Sequence, residues 1–277
     1  MNNAKDLINE HSFSKSLGQN FITDTNLLEA IVSDAKINPN DCVLEIGAGA
    51  GTLTEVLCNN AKMVISYEID KTLETILNQK LNKYKNLEII YKDVLKENNQ
   101  AIYKKFNEPY KIVANLPYYI TTPLIFKFLE DINNVNTIVV MVQKEVAERI
   151  VAKSNTKEYG ILSAIVQFYA TAKIKRIVNK DMFYPRPNVD SAIVALTKNS
   201  NYEKMTNPKI YSMCVHSAFA MRRKTLQNNL CMGLKISKSL AKEIITDCGL
   251  PENIRGEVLT VENFIKLANV VIQKKIV

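Results

Sequence analysis

The feature that most constrains the fold is a series of short apolar runs, each ending on glycine or a polar residue and each followed by a helical pattern. Cys42-Val-Leu-Glu-Ile46 leads into Gly47-Ala-Gly49-Ala-Gly51-Thr52, and Met63-Val-Ile-Ser-Tyr67 leads into Glu68-Ile69-Asp70. Leu87 to Tyr91 runs into Lys92-Asp93, Lys111 to Ala114 into Asn115, and Thr137 to Val142 into Gln143. Apolar runs of this length suit strands covered on both faces. Helical spacing follows at 52–60, through Leu73, Ile76, Leu77 and Leu81, and at 123–129 and 145–152. The alternation predicts an α/β fold, a doubly wound Rossmann-like sheet that is mostly parallel and binds its ligand at the carboxyl ends of the strands. Each polar residue named above sits at such an end.

Further along, 159–170 reads as a helix, and 172–178 and 191–197 read as strands that pair as a hairpin at the sheet edge. Between those strands lies Phe183-Tyr-Pro-Arg-Pro-Asn188, a proline-stiffened loop. Beyond Thr197 the patterns are helical, at 208–220, 222–231, 238–248 and 261–274. The expected organisation is a ligand-binding domain over 1–200 and a small all-helical domain over 201–277. Residues 12–26 read as a loop ending in a helix cap at Asp24 or Thr25, ahead of a helix that begins near Leu27. Gln19 and Asn20, beside Gly18, offer amides to a ligand.

Composition removes several classes of function. A 47% hydrophobic content over 277 residues supports a sizeable core. The polar N-terminus and the absence of a long apolar run predict a cytoplasmic protein with no membrane span. Five cysteines without a CxxC pair argue against a disulfide framework or a zinc site. With His11 and His216 as its two histidines, the chain has no multi-histidine metal centre and no expected histidine triad. No coiled-coil heptads are present, so a monomer is expected. Lys and Arg outnumber Asp and Glu by 36 − 28 = 8, a footprint suited to a polyanion.

The glycine-rich turn with Glu68 about 20 residues beyond its start fits a nicotinamide dinucleotide or an S-adenosyl nucleoside. In either case Gly47 and Gly49 permit close backbone approach, and Glu68 accepts from ribose hydroxyls. Threonine in place of a third fingerprint glycine favours S-adenosylmethionine, as does Glu45, which suits a cationic cofactor better than a phosphate. Asp93 is either a turn cap or an acceptor for the cofactor's adenine amine.

Asn115-Leu116-Pro117-Tyr118 suits an exocyclic adenine amine as methyl acceptor. Hydrogen bonds from that amine to the Asn115 side-chain oxygen and the Leu116 carbonyl favour a pyramidal nitrogen whose lone pair points at a sulfonium methyl. Pro117 fixes the carbonyl, and Tyr118 offers a stacking face. Phe183 either closes the opposite face of the base or anchors its loop. Arg222, Arg223 and Lys224 are either a solvated helix start or contacts to backbone phosphates.

Taken together, Leu17-Gly-Gln-Asn-Phe21, the run from Val43 to Thr54, Glu68-Ile-Asp70, Asn115 to Tyr118, the run from Phe183 to Ala192 and the run from Phe219 to Leu226 carry a resemblance. The chain resembles the KsgA-type ribosomal RNA small-subunit adenine N6-dimethyltransferases and, more distantly, the Erm resistance methyltransferases. The resemblance implies a class I methyltransferase sheet in which Asn20, Ile22, Gly47, Glu68, Asp93 and Asn115 contact S-adenosylmethionine. It implies that Tyr118 and Phe183 sandwich the target adenine. The implied activity is dimethylation of two adjacent adenosines in a hairpin near the 3′ end of small-subunit (16S) rRNA, in a pre-ribosomal 30S particle, as a step of ribosome biogenesis. Tyr119 stands where asparagine is frequent in the family, and Arg186 lies between the two prolines. The competing expectations are an Erm-like large-subunit rRNA methyltransferase, an NAD-dependent oxidoreductase and a non-catalytic ribosome-assembly factor. The intact Asn115 to Tyr118 segment argues against the last.

Overall fold

The structure is a computed structural model that describes residues 21–22, 24–129 and 134–276. Asn20 and most of the Leu17 to Phe21 motif lie outside the described residues. Among them the chain forms β1 (Phe21–Ile22), α1 (Thr25–Asp34), β2 (Cys42–Ile46), α2 (Thr52–Asn60), β3 (Met63–Glu68), α3 (Glu74–Leu81) and β4 (Leu87–Tyr91). There follow α4 (Asn99–Phe106), β5 (Tyr110–Asn115), α5 (Thr121–Leu129), β6 (Val135–Gln143), α6 (Lys144–Val151) and α7 (Ile161–Tyr169). The remainder is β7 (Ala170–Val178), β8 (Phe183–Tyr184), β9 (Ser191–Lys198), α8 (Pro208–Ala218), α9 (Leu226–Gly233), α10 (Lys238–Asp247) and α11 (Val261–Gln273).

The main sheet has seven strands in the order β4-β3-β2-β5-β6-β9-β7. Strands β4, β3, β2, β5 and β6 pair in parallel, and β9 runs antiparallel to β6. From β2 the chain steps outward to β4, then returns to β5 on the other side of β2. The strand order therefore reverses between β2 and β5, and a ligand crevice forms at their carboxyl ends. All five residues of β2 are buried, as covering on both faces requires, whereas β4 at the sheet edge is half-buried. Val43, Leu44, Ile112, Val113, Val139 and Val140 are fully inaccessible and form the middle of the sheet. The strands expected at 172–178 and 191–197 are neighbours, with β7 at the edge.

Several helices begin where a polar side chain replaces a missing backbone partner. Asp24 accepts from Leu27 N at 3.2 Å, so the cap expected at Asp24 or Thr25 is Asp24. Two features differ from the expected elements. Phe21–Ile22 is a short strand that pairs antiparallel with Phe183–Tyr184. The 222–231 segment does not start as a helix. Residues 222–224 form an exposed turn, and α9 begins only at Leu226, capped by the Thr225 hydroxyl.

The chain divides into two compact units, one of Met1–Ala147 with Ala172–Lys198 and the other of Glu148–Thr171 with Asn199–Val277. A boundary near residue 200 leaves out the earlier segment, which belongs with the helical unit. Long-range bonds within that unit explain the grouping. The Tyr159 hydroxyl donates to Leu259 O, the Tyr211 hydroxyl donates to Ala164 O (both 2.9 Å), and Asn155 N donates to Glu257 O at 2.7 Å. Phe168 also stacks on Tyr211 with centroids 3.8 Å apart. The helical unit is thus built on α7 as well as on α8 to α11.

Candidate active site

At the carboxyl ends of β2, β3, β4 and β5 lies a cavity of about 230 Å³ lined by Gly47, Gly49, Glu68, Asp93, Asn115, Leu116 and Pro117. These residues come from four separate strand ends, and all belong to the first unit.

The glycine turn is built for close approach. Gly47 has φ +82 and Gly49 φ +54, a region L side chains rarely adopt. A Cβ on Gly47 would face Asn115 O at 3.7 Å, and one on Gly49 would sit 3.0 Å from the Phe21 ring. Glycine therefore lets the turn lie between the β5 end and β1. Glu68 then fixes it, because its Oε2 accepts from Gly49 N and its Oε1 from Asp70 N, both at 2.9 Å. Glu68 is 4% exposed, and burial raises its pKa against the lowering effect of those backbone donors.

Glu45 lies behind the turn, fully buried, and accepts at Oε2 from Thr54 Oγ1 and Ser66 Oγ, both at 2.7 Å. Its Oε1 has no hydrogen-bond partner, and burial pushes its carboxyl up to about 7. Glu45 does not line the cavity. It joins α2 and β3 to β2 beneath the turn. Asp93 does line the cavity, but its Oδ1 caps the following turn at Leu95 N, 3.0 Å away, so the capping reading holds whether or not a ligand also uses the group.

The segment after β5 is the other wall. Asn115 is half-buried and pairs in register with Met141 of β6, and Leu116 is 3% exposed. Pro117, at φ −56 and ψ 135, turns the chain into a single 3₁₀ turn over Tyr118–Ile120. Of the two tyrosines in that turn, Tyr119 lines the cavity and is 62% exposed, whereas Tyr118 does not line it and bonds through its hydroxyl to Ser191 Oγ at 3.0 Å.

The expected site residues are thus not all brought together. Ile22, Gly47, Gly49, Glu68, Asp93, Asn115, Leu116 and Pro117 share one cavity. Phe183 does not line it. The ring is 5% exposed and packs in the core with Ile22 and Leu28, because β8 pairing turns it inward while Tyr184 faces out. Arg222, Arg223 and Lys224 are exposed in the helical unit. Sequence reading missed Ile69, which lines the cavity at 52% exposure. An isoleucine between two acids at a strand end was the available signal. No cluster of metal-ligating side chains occurs among the described residues.

A turn that allows close backbone approach, with the Glu68 carboxyl bonded to it, disfavours a pyrophosphate and suits a ribose. Together with the strand order, this places the protein in the Rossmann-like methyltransferase class. A sequence profile described as ribosomal RNA adenine dimethylase matches residues 10–273, and the chain belongs to that family. It is 43% identical to Ribosomal RNA small subunit methyltransferase A of Bacillus cytotoxicus over 283 residues, covering 99% of this chain and 97% of that protein. The like-named protein of Bacillus mycoides is 43% identical over 287 residues, with the same coverage of 99% and 97%. Among solved structures, a dimethyladenosine transferase from Plasmodium falciparum is 28% identical with a TM-score of 0.78, covering 92% of this chain and 98% of that one. The 23S rRNA methyltransferase ErmE is 25% identical with a TM-score of 0.68, covering 91% of this chain and 100% of that one.

Proposed function

We propose that the protein transfers methyl groups from S-adenosylmethionine to N6 of two adjacent adenosines near the 3′ end of small-subunit rRNA. We further propose that it acts as a cytoplasmic monomer on a pre-ribosomal particle. The observation that carries this reading is the placement of Asn115 and Leu116 in one cavity with the glycine turn and Glu68. Donor and acceptor groups of the reaction would therefore meet at the end of β5. The relatives at 43% identity carry a small-subunit name, which favours that substrate over the large-subunit one.

S-adenosylmethionine supplies an electrophilic methyl group on a cationic sulfur. Toward it, Gly47 and Gly49 open the backbone, Glu68 accepts from the ribose hydroxyls, Asp93 accepts from the adenine amine, and Ile22 and Ile69 give apolar contact. Asn20 belongs to the same set by the family resemblance. Toward the acceptor, the Asn115 side-chain oxygen and the Leu116 carbonyl accept from the two N6 hydrogens. Those bonds draw the nitrogen lone pair out of conjugation, and Pro117 holds the carbonyl in place. Tyr118, anchored at Ser191, presents its ring to the base. Arg222, Arg223 and Lys224 contact RNA phosphates.

The test is labelled methyl transfer to small subunits from cells lacking this modification, followed by mapping of the product. Dimethyladenosine at paired adjacent sites in small-subunit rRNA is the expected result. Transfer to large-subunit rRNA alone, or none to either, would overturn the reading.

A further inference from the structure

In the helical unit the residues from Ala220 to Lys224 are all exposed, so none of them contributes a side chain to the core. Their backbone is nevertheless closely held. Lys224 N donates to Met221 O at 3.0 Å, closing a four-residue turn with Arg222 and Arg223 at its centre. None of Arg222, Arg223 and Lys224 has an ion-pair partner among the described residues. An exposed turn carrying three unpartnered cations gains nothing from packing, and it keeps one shape only if its backbone is fastened.

The fastener is a buried amide. Asn229 of α9 is 1% exposed. Its Oδ1 accepts from Met221 N at 3.2 Å, and its Nδ2 donates to Met221 O at 3.2 Å and to Ala218 O at 2.7 Å. Both amide hydrogens are thereby used. One side chain grips both polar backbone groups of the residue that opens the turn, together with the last residue of α8. The Ala218 carbonyl is approached from a second direction as well. A Cβ on Gly256 would lie 2.5 Å from Ala218 O, so the chain passes there only as glycine. Beyond the turn, Leu226 N donates to Ile254 O at 2.7 Å and fastens the far end.

The geometry points to Asn229 as a positioning residue for nucleic-acid recognition, holding the turn from Met221 to Lys224 so that its three cations meet RNA phosphates as a preformed set. The inference rests on the phosphate-contact reading of Arg222, Arg223 and Lys224 given above. Phosphates along an RNA strand are spaced by its covalent backbone, and cations already set in place lose less freedom on meeting them than cations on a mobile loop. Asn229, itself buried, acts only through the turn.

The experiment measures the Kd of immature small subunits for wild type, Asn229→Ala, a triple variant (Arg222→Ala, Arg223→Ala and Lys224→Ala) and the combined quadruple variant. Circular dichroism verifies folding, and calorimetry gives S-adenosylmethionine affinity. The expected result is a subunit Kd raised about threefold to tenfold in Asn229→Ala, with donor Kd within about twofold of wild type. The quadruple variant should bind no worse than the triple, because the amide then has nothing left to position. An unchanged subunit Kd in folded Asn229→Ala overturns the inference. So does a quadruple variant worse than the triple by the full factor seen in Asn229→Ala, which would make the amide a structural support only. If Asn229→Ala does not fold, Gly256→Ala, which displaces the same Ala218 carbonyl, takes its place in the comparison with the same expectations. Amide hydrogen exchange on wild type is a further check that needs no variant. Slow exchange at Met221 and Lys224 is expected, and fast exchange at both overturns the inference. A triple variant with wild-type subunit Kd overturns the phosphate reading and the inference with it. Wild-type protein that binds subunits as expected but transfers no methyl group contradicts the methyl-transfer reading and leaves the role of Asn229 standing.

Discussion

The two walls of the cavity are built on opposite principles. On the side proposed to hold the methyl donor, the glycine turn is fixed by the protein itself. Glu68 takes the backbone hydrogens of Gly49 and Asp70, Gly47 N donates to Tyr67 O at 2.8 Å, and Lys80 Nζ donates to Ala50 O at 2.9 Å. On the side proposed to meet the methyl acceptor, a proline and one 3₁₀ turn carry Tyr119 outward, with a large exposed ring. A small cofactor that binds in every turnover gains from a rigid cradle that is ready before binding. A base drawn from a large RNA needs an accessible mouth. Changes to the first wall should therefore act through donor affinity and stability, and changes to the second through RNA recognition and the transfer step.

The largest break in that comparison is Gly49→Val. A side chain at φ +54 is strained, and its Cβ meets Phe21 at 3.0 Å. The cost is about 1–2 kcal/mol from the left-handed backbone alone, with further loss as β1 moves. Donor affinity should fall by at least tenfold in calorimetry, and thermal unfolding should shift downward. If the variant keeps both, the turn is not the rigid cradle described above.

A second, intermediate effect concerns pH. Glu45 is raised from 4.5 to about 7 by burial, with Glu68 raised beside it. The other charged group that acts on Glu45 is Lys80, which lowers it. The folded protein therefore holds protons that the unfolded chain has already released. The stabilising contribution is complete below about pH 4.5 and is lost as pH rises through about 7. Glu45→Gln keeps an acceptor for Thr54 and Ser66 and removes the buried charge. It should flatten the decline in stability across that window and gain on the order of 2–3 kcal/mol at pH 8. Denaturant melts of the two proteins at several pH values provide the check, and parallel curves would refute the assignment.

The smallest effect lies outside both walls. Replacing Arg222, Arg223 and Lys224 together by alanine should leave donor affinity unchanged. RNA affinity should weaken, and its logarithmic salt dependence should lose about 0.7–0.9 for each phosphate contact removed. An unaltered salt slope would return these exposed residues to the solvated-turn reading.

Much of this architecture was legible because parallel strands covered on both faces announce themselves as apolar runs. Residues 52–60 and 87–91 are a helix and a strand with the limits their patterns suggest. What escaped was short or long-range. β1 and β8 are two residues each, too brief to show a period. α4 buries only Ile102 and Phe106, so its pattern is faint. The membership of 148–171 in the helical unit depends on partners such as Tyr159 and Leu259, separated by 100 residues. At the site, the residues at strand ends were readable because topology alone places them there. Which rings face the cavity was not, since that depends on strand pairing at Phe183 and on the rotation of one 3₁₀ turn at Tyr118 and Tyr119.

The central claim is that acceptor chemistry belongs to Asn115 while donor binding belongs to the opposite wall. Single-turnover methyl transfer by Asn115→Ala, with S-adenosylmethionine affinity measured on the same preparation, tests it directly. The expected result is a transfer rate lowered by about 100- to 1000-fold with donor Kd changed by less than about tenfold. Near-normal formation of dimethyladenosine by that variant, or loss of donor binding large enough to account for the lost rate, would contradict it.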